Sequence, residues 1–345
     1  MRRVGLIPRN RLKHIPDFLC VVHEYCFFLH DECVRILKEY EEAEAEWVTV
    51  QFPSGLAADE FNKLASTDPI EALHATGHPE DAKRVILNQI TMRLTSDCLH
   101  HIFEALRCLE KRKYIVALNL LRKPFKDTLA YLSWMLGDED EFFQAFTSGN
   151  PERLAQRHLG NIRVSIFSKA LANTGIGSAM DADLLNEIIY DRKSNQGLEK
   201  LFQHAVHLIT IDRVELKTAP ENFNFVFKSP WDDDVYEHIY NTVPYILLFL
   251  AHVIFGLFHR MRKMDDGARL SATARTLFGF TLVMNGDVVS VQDTLTEAFS
   301  EHVKCVACQA RLNVTRYNAT RIVITESFRC TSCGKNNPFP FSWLF

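Results

Sequence analysis

No stretch of this chain is apolar for the roughly 20 residues that a membrane-spanning helix needs. The longest apolar run, VPYILLFLAHVIFGLF at 243–258, falls short of that and carries His252. The sequence therefore predicts a buried core helix and no membrane partner. The chain also lacks a Walker loop, a dinucleotide fingerprint, an HExxH pair and a GxSxG nucleophile elbow, which sets aside the commonest hydrolase and dehydrogenase chemistries. GIG at 175–177 has neither the preceding strand nor the final glycine of a nucleotide loop and reads as a turn. There is no fixed-period repeat and no low-complexity tract. The opening MRRVGLIPRNRLKHIPDFLC is cationic and then apolar, as an export signal is. His23 and Glu24 interrupt it, and no small-residue cleavage site follows, so secretion is not expected.

What is present is an ordinary globular composition. With 345 residues, 47% hydrophobic and 24% charged, the chain can bury a large core, and wholesale disorder is excluded. A formal net charge of -4 argues against coating nucleic acid along the whole length, so any basic function must be local. Nine cysteines, four of them at metal-ligand spacing, point to a reducing cytoplasm.

Helical periodicity dominates to about residue 300. A first helix is expected from Pro16 and Asp17 to about Leu37, closing on the acidic run 41–46, followed by an irregular stretch from Trp47 to Thr76. Ile86, Ile90, Leu94, Cys98, Ile102 and Leu106 step by four, the spacing of a long amphipathic helix. KYIVALNLLRKPFKDTLAYLSWML follows after a short connection, which makes the two helices antiparallel neighbours. Pro124 predicts a kink near Leu120. Further helices are expected at about 161–172, 181–190, 197–209 and 270–283, with a long one starting at Asp232–Asp234 and ending in HRMRKM. FNFVF at 223–227 is a candidate strand.

The end of the chain reads differently. Cys305, Cys308, Cys330 and Cys333 form two CxxC hooks with 21 residues between them. Each hook can turn two thiolates onto one ion, and two hooks complete a tetrahedral site for zinc that leaves no position for water or substrate. Such an ion is structural; iron suits the same ligands. RLNVTRY and RIVITESF between the hooks are β-rich and NAT is turn-prone, so residues 303–336 resemble a zinc ribbon. The expected architecture is a mainly α multi-helix bundle at 1–300 with a small C-terminal β zinc ribbon and aromatic tail at 301–345. Lys304, Arg311, Arg316, Arg321, Arg329 and Lys335 outnumber Glu301 and Glu326, which suits contact with a polyanion. Phe339, Phe341, Trp343 and Phe345 alternate along the tail and are expected to dock on the helical body or meet a partner.

Cys20, His23, Cys26, His30 and Cys33 step by three or four along the first helix. One helix can aim at most three of them at a single ion, and with Phe18, Val22, Phe27 and Leu29 around them they read as core.

LHHIFEALRCLEKRKYIVALNLLRKPFKDTLAYLSWML, residues 99–136, resembles the helical hairpin of an uncharacterised bacterial group related to HEPN domains, within a hairpin spanning about 81–148. The resemblance implies a helical bundle, often dimeric, that in many members acts as a metal-independent ribonuclease, toxin or defence effector. Such enzymes place an arginine, usually followed by a polar residue, a few positions before a histidine. Arg93 with His100 is the candidate catalytic pair, although Leu94 follows the arginine; Arg9 with His14 and Arg153 with His158 have similar spacing. Arg122, Lys123 and Lys126, around the Pro124 kink and beside Asp127, form a candidate phosphate site, with an internal pair to Asp127 as the plainer alternative.

Three functions stay open on this reading. One is a zinc-binding, nucleic-acid-associated regulatory or interaction protein that contacts RNA or DNA through Arg311, Arg316, Arg321 and the arm of Arg2, Arg3, Arg9, Arg11 and Lys13. Another is a HEPN-like ribonuclease. The third is a structural subunit that binds a protein partner or a second copy of itself.

Overall fold

The computed structural model describes residues 3–209, 217–225 and 229–341. It is mainly helical, with a two-stranded sheet near the C-terminus.

The organising element is the helix Asp233–Met261 (α11). Asp232 caps its first turn by accepting from the Asp234 amide, Asp233 and Asp234 add negative charge there, and His259 and Arg260 close the other end. It is apolar on nearly every side, from Val235 to Phe258, so it must be surrounded. By length and composition it is the one described helix that could cross a bilayer, yet 83% of the relevant window is buried inside the protein. Its neighbours are α1 (Cys20–Glu42), α4 (Pro79–Leu109), α6 (Leu129–Gly137) and α12 (Asp266–Val283). At Gly256 the approach is so close that a Cβ would sit 2.9 Å from the Leu136 side chain. His252, buried in this helix, bonds Thr276 and is held neutral, its pKa lowered to about 3 by burial.

Helix α1 is preceded by a single turn at Leu12–His14 and is buried along most of its length. The stretch 47–76, expected to be irregular, contains α2 (Gly55–Ala65) and α3 (Pro69–Ala75). The residues that read as breakers are helix caps: Ser54 accepts from Ala57, Asp68 accepts from Ile70 and Glu71, and Pro69 and Pro79 open helices at positions whose amides have no partner anyway.

Helix α4 turns back through residues 110–113 into α5 (Tyr114–Lys123), the antiparallel hairpin expected. The disturbance expected from Pro124 near Leu120 lies at the proline itself, since α5 runs on to Lys123. Pro124 opens one π-helical turn, Pro124–Thr128, before α6 resumes. The stripe on α4 is in the core only at Cys98, Ile102 and Leu106; Ile86, Ile90 and Leu94 line an apolar groove of about 740 Å³ with Phe142 and Phe146 of α7 (Glu139–Thr147). Helices α8 (Gln156–Ala172), α9 (Ala182–Tyr190) and α10 (Glu199–Val206) follow, with Gly177 in a turn so tight that a Cβ would meet the Leu171 carbonyl at 2.7 Å. Phe223 to Phe225 are turn and coil, not strand; 226–227 lie outside the described residues.

Past α12 the chain forms α13 (Val288–Phe299), which periodicity did not announce, and α14 (Arg316–Thr325). The second is a correction: of the β-rich segments expected on either side of the turn-prone NAT, 316–325 form one helix with NAT inside it, 311–315 lie outside any named strand, and only Ser327 and Phe328 enter a strand. Thr315 caps the helix by accepting from the Asn318 amide, and Ala319, Ile322 and Val323 face the core at helical spacing. Burial of that face overrides the strand preference of its β-branched residues. The small sheet pairs β1 (Ser327–Arg329) with β2 (Asn336–Pro338), antiparallel, Phe328 opposite Asn337.

Candidate metal centre

The four hook cysteines converge. Their sulfurs all lie within 4.8 Å of one another, with Cys305 Sγ 3.6 Å from Cys333 Sγ and Cys308 Sγ 3.6 Å from Cys330 Sγ. These separations are far beyond a disulfide bond of about 2 Å. They match the edge of a tetrahedron with metal–sulfur bonds of about 2.3 Å, which is about 3.8 Å. The donor set therefore fits one metal ion with every position filled by sulfur.

The two hooks are built alike. In the first, Gln309 N–H donates to the Cys305 carbonyl (3.0 Å) and Cys305 N–H to Ala310 O (2.9 Å). In the second, Gly334 N–H donates to Cys330 O (2.9 Å) and Cys330 N–H to Lys335 O (2.9 Å). The residue after each second cysteine is left-handed: Gln309 at φ +60° and Gly334 at +73°. Each hook also turns backbone amides onto its first sulfur. Amides of Cys308 and Ala307 draw the Cys305 thiol down to about 6, and those of Cys333 and Ser332 lower Cys330. The Ala310 amide pulls Cys308 the same way, but the sulfurs of Cys330 and Cys333 outweigh it and hold this thiol up at about 12. Four thiolates this close cannot all ionise without a cation, and an ion removes the conflict.

Two buried asparagines lock the hooks to their surroundings. Asn337 Oδ1 accepts from the Val306 amide (2.9 Å), tying the first hook to the β1–β2 hairpin that carries the second. Asn318 on α14 donates to Asn313 O and Arg329 O and accepts from the Arg329 amide (2.9 Å). Nothing in the sequence singles these out, since asparagine in a β-rich stretch reads as a turn.

The candidate cations divide into two groups. Arg311 is exposed, as are Lys304, Arg329 and Lys335 around the hooks. Arg316 and Arg321, expected to contact phosphate, are instead bonded to the body. Arg316 donates twice to Leu282 O, and Arg321 spans Val4 O (2.5 Å) and Ser327 Oγ (2.7 Å). The basic arm is likewise packed rather than loose. Glu24 accepts from the amides of Val4, Gly5 and Ile7, and Arg11 pairs with Glu110 at 2.6 Å. Arg3, Arg9 and Lys13 remain exposed around a recess shared with Asn10 and Asp17; Arg2 lies outside the described residues. Lys123 pairs with Asp97 at 2.7 Å and Lys126 with Glu199, so neither uses Asp127.

Arg93 and His100 are both exposed on α4. Seven residues apart, they share a face of the helix but are separated by two turns, roughly 10 Å along the axis. Arg93 donates to Gln89. The cluster on α1 is core: His23 bonds Tyr240 and Glu110, His30 bonds Asp31, and burial raises the thiols of Cys26 and Cys33 and lifts Cys20 to about 11. Phe339 and Phe341 pack on Phe299 at the end of α13 (5.0 and 5.6 Å); Trp343 and Phe345 lie outside the described residues.

No protein-family model matches this chain, and neither a curated protein nor a solved structure does.

Proposed function

We propose that this is a zinc-stapled, nucleic-acid-associated protein of the cytoplasm, regulatory or scaffolding in role. The observation that carries the proposal is the saturated sulfur site with exposed cations around it. Zinc suits four thiolates at tetrahedral spacing and, with no open position, stabilises the end of the chain without doing chemistry. Lys304, Arg311, Arg329 and Lys335 surround it in water, and Arg3, Arg9 and Lys13 line a recess next to Val4, which Arg321 ties to the base of β1. Arg316 and Arg321 hold the fold, while the cations around the hooks are exposed, Arg329 with only its Nε bonded to the Gly334 carbonyl; this division of labour supports a phosphate-facing surface.

The test is binding to single-stranded RNA and to duplex DNA between 50 and 300 mM salt, roughly the range over which counterion release is measurable. Affinity should fall linearly on a log–log plot, and Arg311→Ala with Lys335→Ala should flatten the slope by about two. Absence of binding to either polymer at the lowest salt removes this reading.

A second reading, a metal-independent ribonuclease, is favoured by the common exposed face of Arg93 and His100 on a hairpin of the expected geometry. It requires RNA cleavage that persists in chelator and disappears in His100→Ala.

A further inference from the structure

The first half of α4 departs from the pattern of the body. Ile86, Ile90 and Leu94 stand four apart on one face, yet each is only half-buried. Ile70 of α3 and Phe142 and Phe146 of α7 form the facing wall, and between the two runs the open groove of about 740 Å³. That wall is fixed in place. Phe142 is buried, Phe146 stacks on it with ring centres 5.9 Å apart, and Arg84 of α4 holds Glu139 of α7 at 2.6 Å. The groove is therefore preformed, with the size and apolar character of a small-molecule site. Its exposed hydrocarbon is unfavourable in water.

Its polar groups are few and almost all engaged. Tyr131 O–H donates to the Leu154 carbonyl at 2.7 Å. Lys83 and Arg84, on the α4 turn that opens the groove, pair with Asp140 and Glu139. Arg93 differs. It is the one charge among the lining residues and stands at the far end of the α4 wall. It is exposed, its Nε donates to Gln89 at 3.2 Å, and its two terminal nitrogens have no partner among the described residues. The groove thus suits an occupant that is apolar along its length and carries one anionic group at an end. A partner helix matches poorly, because the charges flanking its apolar face would meet Lys83 and Arg84 already paired within this chain. A second copy matches poorly too: two-fold symmetry sets hollow against hollow and fills neither.

We propose that the groove binds a free long-chain fatty acid, with its alkyl chain between α4 and α7 and its carboxylate on the terminal nitrogens of Arg93. A guanidinium presents parallel N–H groups to the two oxygens of a carboxylate. Hydrocarbon lying between the walls removes their apolar surface from water. The site is independent of the cations around the hooks and of any polymer they contact.

The experiment is calorimetric titration of the full metal-loaded chain with octanoate, decanoate and dodecanoate, each below its micellar concentration. One equivalent should bind per chain, with Kd falling about tenfold for every two methylenes added. Dodecanol, which lacks the charge, should bind about two- to fivefold more weakly than dodecanoate, and Arg93→Gln should abolish that difference while leaving the alcohol's affinity unchanged. Because Arg93 is exposed, this variant tests the contact and not the fold. Phe146→Ser, at a residue 45% exposed, should weaken dodecanoate by about tenfold. No saturable binding of dodecanoate, an affinity indifferent to chain length, or an acid preference that survives Arg93→Gln overturns the site. Two other results overturn it by naming a different occupant. Flotation with phosphatidylglycerol vesicles that dodecanoate does not displace assigns the groove to a membrane surface. A dimer in sedimentation that Phe146→Ser abolishes and dodecanoate does not dissociate assigns it to a second copy.

Discussion

The helical body and the last forty residues solve the same problem by different means. Around α11 the chain buries apolar side chains on every side, and a helix so enclosed needs no ligand to hold its place. The hooks bury little: Cys308, Cys333, Val306 and Gly334 are exposed, and four sulfurs around one point take the place of a core. Helix α14 belongs to both, since its apolar face enters the body's core while its ends carry the hooks. A segment too small to make a core can thus be stabilised by a metal at one end and a borrowed core at the other.

Removing the metal should separate the two regions most strongly. Chelation, or Cys305→Ala, is expected to take metal content from one ion per chain to near zero. It should expose the hook amides to hydrogen exchange while α11 and most of α14 stay protected, structural zinc being worth about 10 kcal/mol or more to the segment it organises. Loss of protection throughout the body would show that the regions are one cooperative unit.

The seam comes next. Arg275→Met removes one of the two arginines that pair with buried Glu32, leaving only the more exposed Arg35, and frees the Val323 carbonyl, so stability should drop by about 3 kcal/mol in denaturant melts. Within the body, Gly256→Ala forces a methyl against Leu136 and should cost about 1–3 kcal/mol with metal content unchanged. Thr315→Ala removes the cap of α14 and should cost about 1 kcal/mol. The smallest effect is expected at Gln309→Gly, which relieves a left-handed non-glycine residue in the first hook and should leave stability within about 1 kcal/mol of wild type or slightly above.

Much of the body was legible in the sequence because apolar spacing repeats over many turns in α4, α5 and α11. The hooks were legible because cysteine spacing is itself the chemistry. What the sequence concealed were features decided by distant neighbours. The residues 316–325 carry strand-forming types, yet become helix because the body offers an apolar seat for one face. Ser54 and Asp68 read as interruptions because a cap and a loop residue are the same chemical species. Arg316 and Arg321 looked free because nothing local says that Leu282 and Val4 will lie beside them.

Arg321 joins residues 317 positions apart when it donates to the Val4 carbonyl. At a synthesis rate of about 5–20 residues per second, Val4 emerges roughly 15–60 seconds before its partner exists. Until then Glu24, only 20 positions along, can gather the amides of the arm, but the Val4 carbonyl must stay with water. The seat for α14 is therefore finished last, and the nascent body carries an open apolar face while the ribosome completes the chain.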